Sequence, residues 1–302
     1  NDVDVTAGTT TSATSTGGQI NITGGFGASS SAGAGGDINV TGGASNSDSV
    51  NAPGGDVNVI AGAAKTSDGG SVFLSSGFST LADSGSFTVQ TEDSGTTGVS
   101  GSMLLQTGDA ASGTSGSITV NTGDSVSGHG GSIAMSVGSG NVGLAGDFSA
   151  VAGEHTGPGN TASSGGQVFI TTGSSTATSS GTMELKTANS GLNGVSGDIN
   201  LTTGLTTSGQ SGSVNVTTGH SVIGKGGDIS MQVGKATSGT GGFVLLSAGN
   251  TTAAAMSGGE IVIRSGYSKL STTGKVSILT SASSDVGDSG DMYLRTGNST
   301  IS

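Results

Sequence analysis

"GDINLTTGLTTSGQSGSVNVTTGHSVIGKGGDISMQVG" (residues 197–234) repeats one phrase two and a half times. Gly197, Gly212 and Gly227 each open a unit, and an apolar pair stands at its third and fifth places: Ile199 and Leu201, Val214 and Val216, Ile229 and Met231. A second glycine follows at place eight (Gly204, Gly219, Gly234). Alternating apolar residues over a short segment are the pattern of a strand with one covered face.

Carried outward, this register places unit starts at residues 1, 18, 36, 55, 70, 85, 101, 116, 131, 146, 166, 181, 197, 212, 227, 242, 259, 274 and 290, nineteen units in all. Place one is Gly in every unit but the first, and places three and five are apolar from Val3 and Val5 to Met292 and Leu294. Place seven is small or β-branched, as at Ala61, Thr107 and Val137. Place eight is Gly in sixteen units, where a φ > 0 corner is expected. Place ten is small, and place thirteen is often Gly (Gly113, Gly143, Gly209), which suggests a second, thinner wall with another bend. A short period whose units cannot each bury their own apolar pair points to stacked coils. The expected fold is therefore all-β, a narrow parallel β-solenoid of about nineteen coils, mostly of 15 residues. At a strand spacing of about 4.8 Å it would form a rod on the order of 90 Å long.

From residue 70 the unit lengths run 15, 16, 15, 15, 15, 20 and then 15, 16, 15, 15, 15, 17, so six units form a super-repeat. In the sixteen-residue units the place-eight glycine gives way to Glu92, Ala188 and Ser281. The longest unit contains Pro158 and is expected to project a small loop. The reading is one domain, 1–302, with longer irregular coils over 1–69, one super-repeat over 70–165, a second over 166–258 and a partial third over 259–302.

Composition sets limits on function. With 61 Gly, no Trp, no Cys and 3% aromatics, a rounded core is excluded, as are a disulfide framework and thiolate metal sites. Charged residues are only 9%, and the fixed apolar places argue against a solvated linker. No apolar run reaches the length of a membrane span. The net charge of −12 opposes nucleic-acid binding. It is unevenly spread: residues 1–150 carry twelve acids against Lys65 (−11), and residues 151–302 carry eight acids against seven bases (−1). The chain begins at Asn1 already in register, which points to a segment processed or cut from something longer.

A search for chemistry yields no catalytic, metal or cofactor site. Asp37, Asp56, Asp147, Asp198, Asp228 and Asp291 all follow a place-one glycine and are spread along the chain, as solvated turn acids are. His129, His155 and His220 fall at unrelated places. The tandem GGxGxD calcium pattern is absent, and glycine matches to phosphate loops carry no weight in a chain one-fifth Gly. The outward places four and six do not hold Thr consistently, as an ice-binding coil needs: place six runs Ser75, Gln90, Gln106, Asn121, and the Thr column lies mostly at place seven. Six N-glycosylation sequons are present, at Asn21, Asn39, Asn200, Asn215, Asn250 and Asn298. The first four stand at place four; an Asn or Thr ladder between coils is the alternative reading of the same residues.

The phrases "GGDINVTGG", "GGDVNVIAG" and "SGSVNVTTG" resemble two groups of proteins. The Gly-Gly-Asp-Ile beat looks like the repeats of filamentous-haemagglutinin-type bacterial adhesins, whose coils are usually longer. Closer in composition are the Gly/Ser/Thr-rich repetitive β-solenoid surface or matrix proteins of diatoms and other stramenopile microalgae. The resemblance spans the chain and implies an extracellular, cell-surface or matrix component. The expected function is thus non-enzymatic and structural: a filament, adhesin stalk or matrix fibre. Its partners would be further copies, joined end to end into filaments because Val3 and Val5 enter in full register with no capping helix, and glycans or extracellular polysaccharide. An ice-binding or polysaccharide-binding solenoid is the alternative, and a carbohydrate-active β-helix enzyme the third.

Overall fold

The computed structural model describes residues 2–12, 15–29, 33–49, 51–157, 164–283 and 286–297. The chain divides into two units, Asn1–Ser149 and Ala150–Ser302. Among the described residues there is no helix and no β-strand: extended segments alternate with bends, which recur at places eleven to thirteen, for example 111–113, 126–128, 207–209 and 222–224.

The solenoid expectation is therefore overturned, and the backbone shows why. Gly70 N–H donates to Gly62 O at 2.9 Å, Gly85 to Gly77 at 2.8 Å, Gly259 to Gly249 at 2.9 Å and Gly274 to Gly266 at 3.0 Å. Each bond joins place one of a unit to place eight of the unit before it. In a stacked coil the new place one would lie over the previous place one, about 23 Å away along seven extended steps. Instead the chain leaves place eight, makes a loop such as 63–69, and returns to the same spot. Where such a bond forms, places nine to fifteen are a closed loop rather than a second wall, and no ladder extends from the closing bond into the flanking segments.

Burial fails as well, at open and closed junctions alike. The accessible surface is 30224 Å² for a 28.3 kDa chain, where a folded monomer of this mass exposes about 11,000 Å² and an extended chain about 41,000 Å². No described residue is buried, so the expected columns of Val, Ile, Leu and Met at places three and five are not a core. The alternation survives as a bias: Val72 is 53% exposed, Phe73 87% and Leu74 69%. The half-buried positions fall elsewhere, mainly at place seven (Ala7, Ala61, Thr107, Ala152, Thr172, Ala248, Ser265) and place ten (Thr206, Ser221, Ser268). Most of these stand beside a closing bond; Thr107, Thr206 and Ser221 stand in loops without one.

Two kinds of junction follow the identity of place seven. A closing bond of 2.7–3.0 Å is present after Ala7, Gly24, Gly42, Ala61, Ser76, Ala152, Thr172, Ala248 and Ser265. It is absent after Thr91, Thr107, Thr122, Val137, Thr187, Thr203, Thr218, Val233 and Thr280. Thr172 apart, small residues close the junction and β-branched ones hold it open. The stiff branched side chain occupies the space through which the next glycine must approach. In two open junctions the threonine bonds that glycine itself: Thr122 Oγ1 donates to Gly131 O at 3.2 Å and Thr218 Oγ1 to Gly227 O at 3.3 Å. From residue 70 onward the order is two closed junctions, then four open ones, so the six-unit super-repeat is present in the hydrogen bonding.

Glycine has a different task at each place. Left-handed glycines (Gly113, Gly143, Gly209, Gly224, Gly239, Gly287) stand three residues before the next unit, all in loops of open junctions. The φ > 0 corner expected at place eight is not found at any described place-eight glycine; the chain reverses within the loop, not at its entry. Several place-one glycines are sterically fixed instead. A Cβ on Gly242 would stand 2.8 Å from Val233 Cγ1, and one on Gly259 would stand 3.0 Å from Gly249 N.

Candidate functional surface

Place ten organises the loops. Ser79 Oγ accepts from Leu81 N at 3.3 Å and Ala82 N at 3.0 Å, Ser175 Oγ from Ala177 N at 3.3 Å and Thr178 N at 2.9 Å, and Ser268 Oγ from Ser271 N at 3.0 Å. These hydroxyls mimic a backbone turn, as Ser and Thr do in short bends. In open-junction loops the direction reverses: Thr206 Oγ1 donates to Ser208 O at 3.0 Å, and Ser221 Oγ to Ile223 O at 3.2 Å. The small residues at place ten were visible in the sequence, but their hydroxyls were not assigned this role there. A place-ten Ser or Thr stands with a place-thirteen Gly in three units, at 125/128, 206/209 and 221/224, and all three are open loops.

The sequon asparagines are displayed, not gathered. Asn21, Asn39, Asn200, Asn215 and Asn250 are exposed, whereas Asn298 lies outside the described residues, as does Pro158. Alternation along an extended segment turns place four away from places three and five, so Asn200 and Asn215 stand on the face opposite their units' apolar pairs. The amide contact at place four lies within one segment, Gln19 Nε2 donating to Asn21 Oδ1 at 2.8 Å, and does not extend as a ladder to the next unit. Asn250 follows Gly249, the acceptor of a closing bond, and begins a loop in which Thr251 Oγ1 accepts from Ala253 N at 3.2 Å.

The acids stay apart. Asp228 Oδ2 pairs with Lys225 Nζ at 2.7 Å, and Asp291 Oδ2 accepts from Tyr293 OH at 2.9 Å. Glu184 Oε1 pairs with Lys186 Nζ at 2.9 Å across one extended segment. Asp37, Asp56, Asp147 and Asp198 are exposed, and among the described residues no three of His, Asp and Glu come together as metal ligands. His129, His155 and His220 are each exposed on separate loops. Among the described residues there is no pocket in which a substrate could be enclosed, and no helix long and apolar enough to cross a membrane.

What the arrangement offers is one motif displayed many times: an exposed apolar pair on one side of an extended segment, with outward residues, sequon asparagines among them, on the other. No protein-family model, curated protein or solved structure matches the chain.

Proposed function

We propose that this chain is a non-enzymatic extracellular structural protein, a filament, adhesin stalk or matrix fibre, that works by associating with further copies of itself. The observation that carries the reading is the repetition. Nineteen units present the same apolar pair, and that pair is left exposed within the single chain. A residue pattern repeated this regularly and left uncovered is suited to a contact that is itself repeated. The sequons at Asn200 and Asn215, one unit apart and on the opposite face, support an extracellular address with glycans on the side away from the contact.

Electron microscopy of the native material tests the reading. Threads or a matrix that bind an antibody to this chain are the expected result, and compact dispersed particles would overturn it. Ice-crystal shaping, or products released from acidic polysaccharides, would replace it with the binding or enzymatic alternative. Intact-mass measurement of native protein tests the glycans: occupancy at Asn200 and Asn215 is expected, and a bare mass would remove that part of the proposal.

A further inference from the structure

The hydrogen bonding defines two runs of consecutive open junctions. The first spans the units from residue 85 to 145, and the second those from 181 to 241. Within a run no closing bond ties one extended segment to the next, so backbone donors and acceptors, as well as the apolar pairs, remain available. Unpaired extended backbone beside an apolar stripe is a template for another chain.

The two runs differ in charge. The first carries Glu92, Asp93, Asp109 and Asp124 with no Lys or Arg, a net −4. The second carries Glu184, Asp198 and Asp228 against Lys186, Lys225 and Lys235, three minus three, a net zero. Two of those acids are already paired within their own copy, Glu184 with Lys186 and Asp228 with Lys225. Two first runs brought together would repel; two second runs would not.

From these observations, and resting on the structural reading above, we infer that the open run 181–241 is the docking surface for the same run of a second copy. A second copy carries a face with the same fifteen-residue beat, at 197, 212 and 227, so that contacts made by Ile199 and Leu201 recur at Val214 and Val216 and at Ile229 and Met231; the first run shares the beat at 101, 116 and 131 but carries the net −4. Area is sufficient. The chain exposes 30224 Å², about 19,000 Å² more than a folded monomer of its mass, and a stable interface needs only about 1,200–2,000 Å² in total. Glycans on Asn200 and Asn215 would lie on the opposite face and leave the contact open, which makes the association one-sided.

The test uses the full-length chain and a matched pair of substitutions. Val216→Asp places a charge at place five in the second run, and Val120→Asp does the same in the first; the two valines are 68% and 72% exposed, so neither change disturbs a core. Sedimentation velocity across a concentration series at fixed ionic strength reads the association. The parent chain should self-associate, Val216→Asp should raise the half-association concentration about tenfold or more, and Val120→Asp should leave it within about twofold. A parent that stays monomeric throughout, or equal effects from the two variants, would overturn the assignment. If native threads are seen by microscopy while Val216→Asp associates as the parent does, the structural reading stands and this surface is wrong.

Discussion

Replacing Gly259 with alanine should open one loop, whereas replacing Gly249, the other end of the same hydrogen bond, should not. Gly259 N–H donates to Gly249 O at 2.9 Å. A Cβ on Gly259 would stand 3.0 Å from Gly249 N and 3.3 Å from Ala248 Cβ, closer than those atoms tolerate without moving apart. The bond must lengthen to admit the methyl group. A Cβ on Gly249 would meet nothing within 4 Å. A solvent-exposed backbone hydrogen bond contributes about 0.5–1.5 kcal/mol net, so its loss should speed exchange of the Gly259 amide by roughly two- to tenfold. Gly249→Ala should leave that amide as it was, and the smaller freedom of its unfolded chain can add about 0.4–1 kcal/mol in the opposite direction. Hydrogen exchange followed by NMR at single amides is the suitable assay, because a chain without a buried core offers no cooperative transition that reports one junction. Equal exchange at residue 259 in the two variants would refute the claim that close approach requires glycine at that place-one position.

Thr107→Ala should install a closing bond from Gly116 N–H to Gly108 O, seen as slower exchange at Gly116, and the reverse change Ala248→Thr should remove the one at Gly259; no change in either would break the link between β-branching at place seven and the open junction. Ser175→Ala removes the acceptor of Ala177 N and Thr178 N, and exchange at Thr178 should rise about three- to tenfold while Gly181 N–H, bonded to Gly173 O at 3.0 Å, is unaffected. Lys225→Ala deletes an exposed ion pair with Asp228; such pairs contribute little in water, so the far-ultraviolet spectrum of the dilute chain and its response to urea should be unchanged.

The sequence by itself determined the unit boundaries, the alternation within places one to eight, the small or branched character of place seven and the six-unit super-repeat. All of these are local properties, fixed by which side chains recur at which spacing. Val72, Phe73 and Leu74 still alternate in exposure, and the super-repeat returns as two closed junctions followed by four open ones. The sequons were legible in the same way, as was the scatter of Asp37, Asp56, Asp147 and Asp198, because an outward place needs no partner to define it. What only the tertiary structure decided is where each unit begins in space. A fifteen-residue period fits a coil that returns above its own start and equally a loop that returns to its own entrance, since spacing along the chain does not fix the direction in which the chain leaves a bend. The choice lies in short contacts between residues of successive units: Gly259 on Gly249, Gly70 on Gly62, and the side chain of Thr107 or Val233 standing in the path of the following glycine. Where a loop closes on itself the next unit is carried off the stack, and where it stays open no backbone bond holds one extended segment to the next; either way the apolar pairs go uncovered, and a pattern that reads as a core becomes an exposed face.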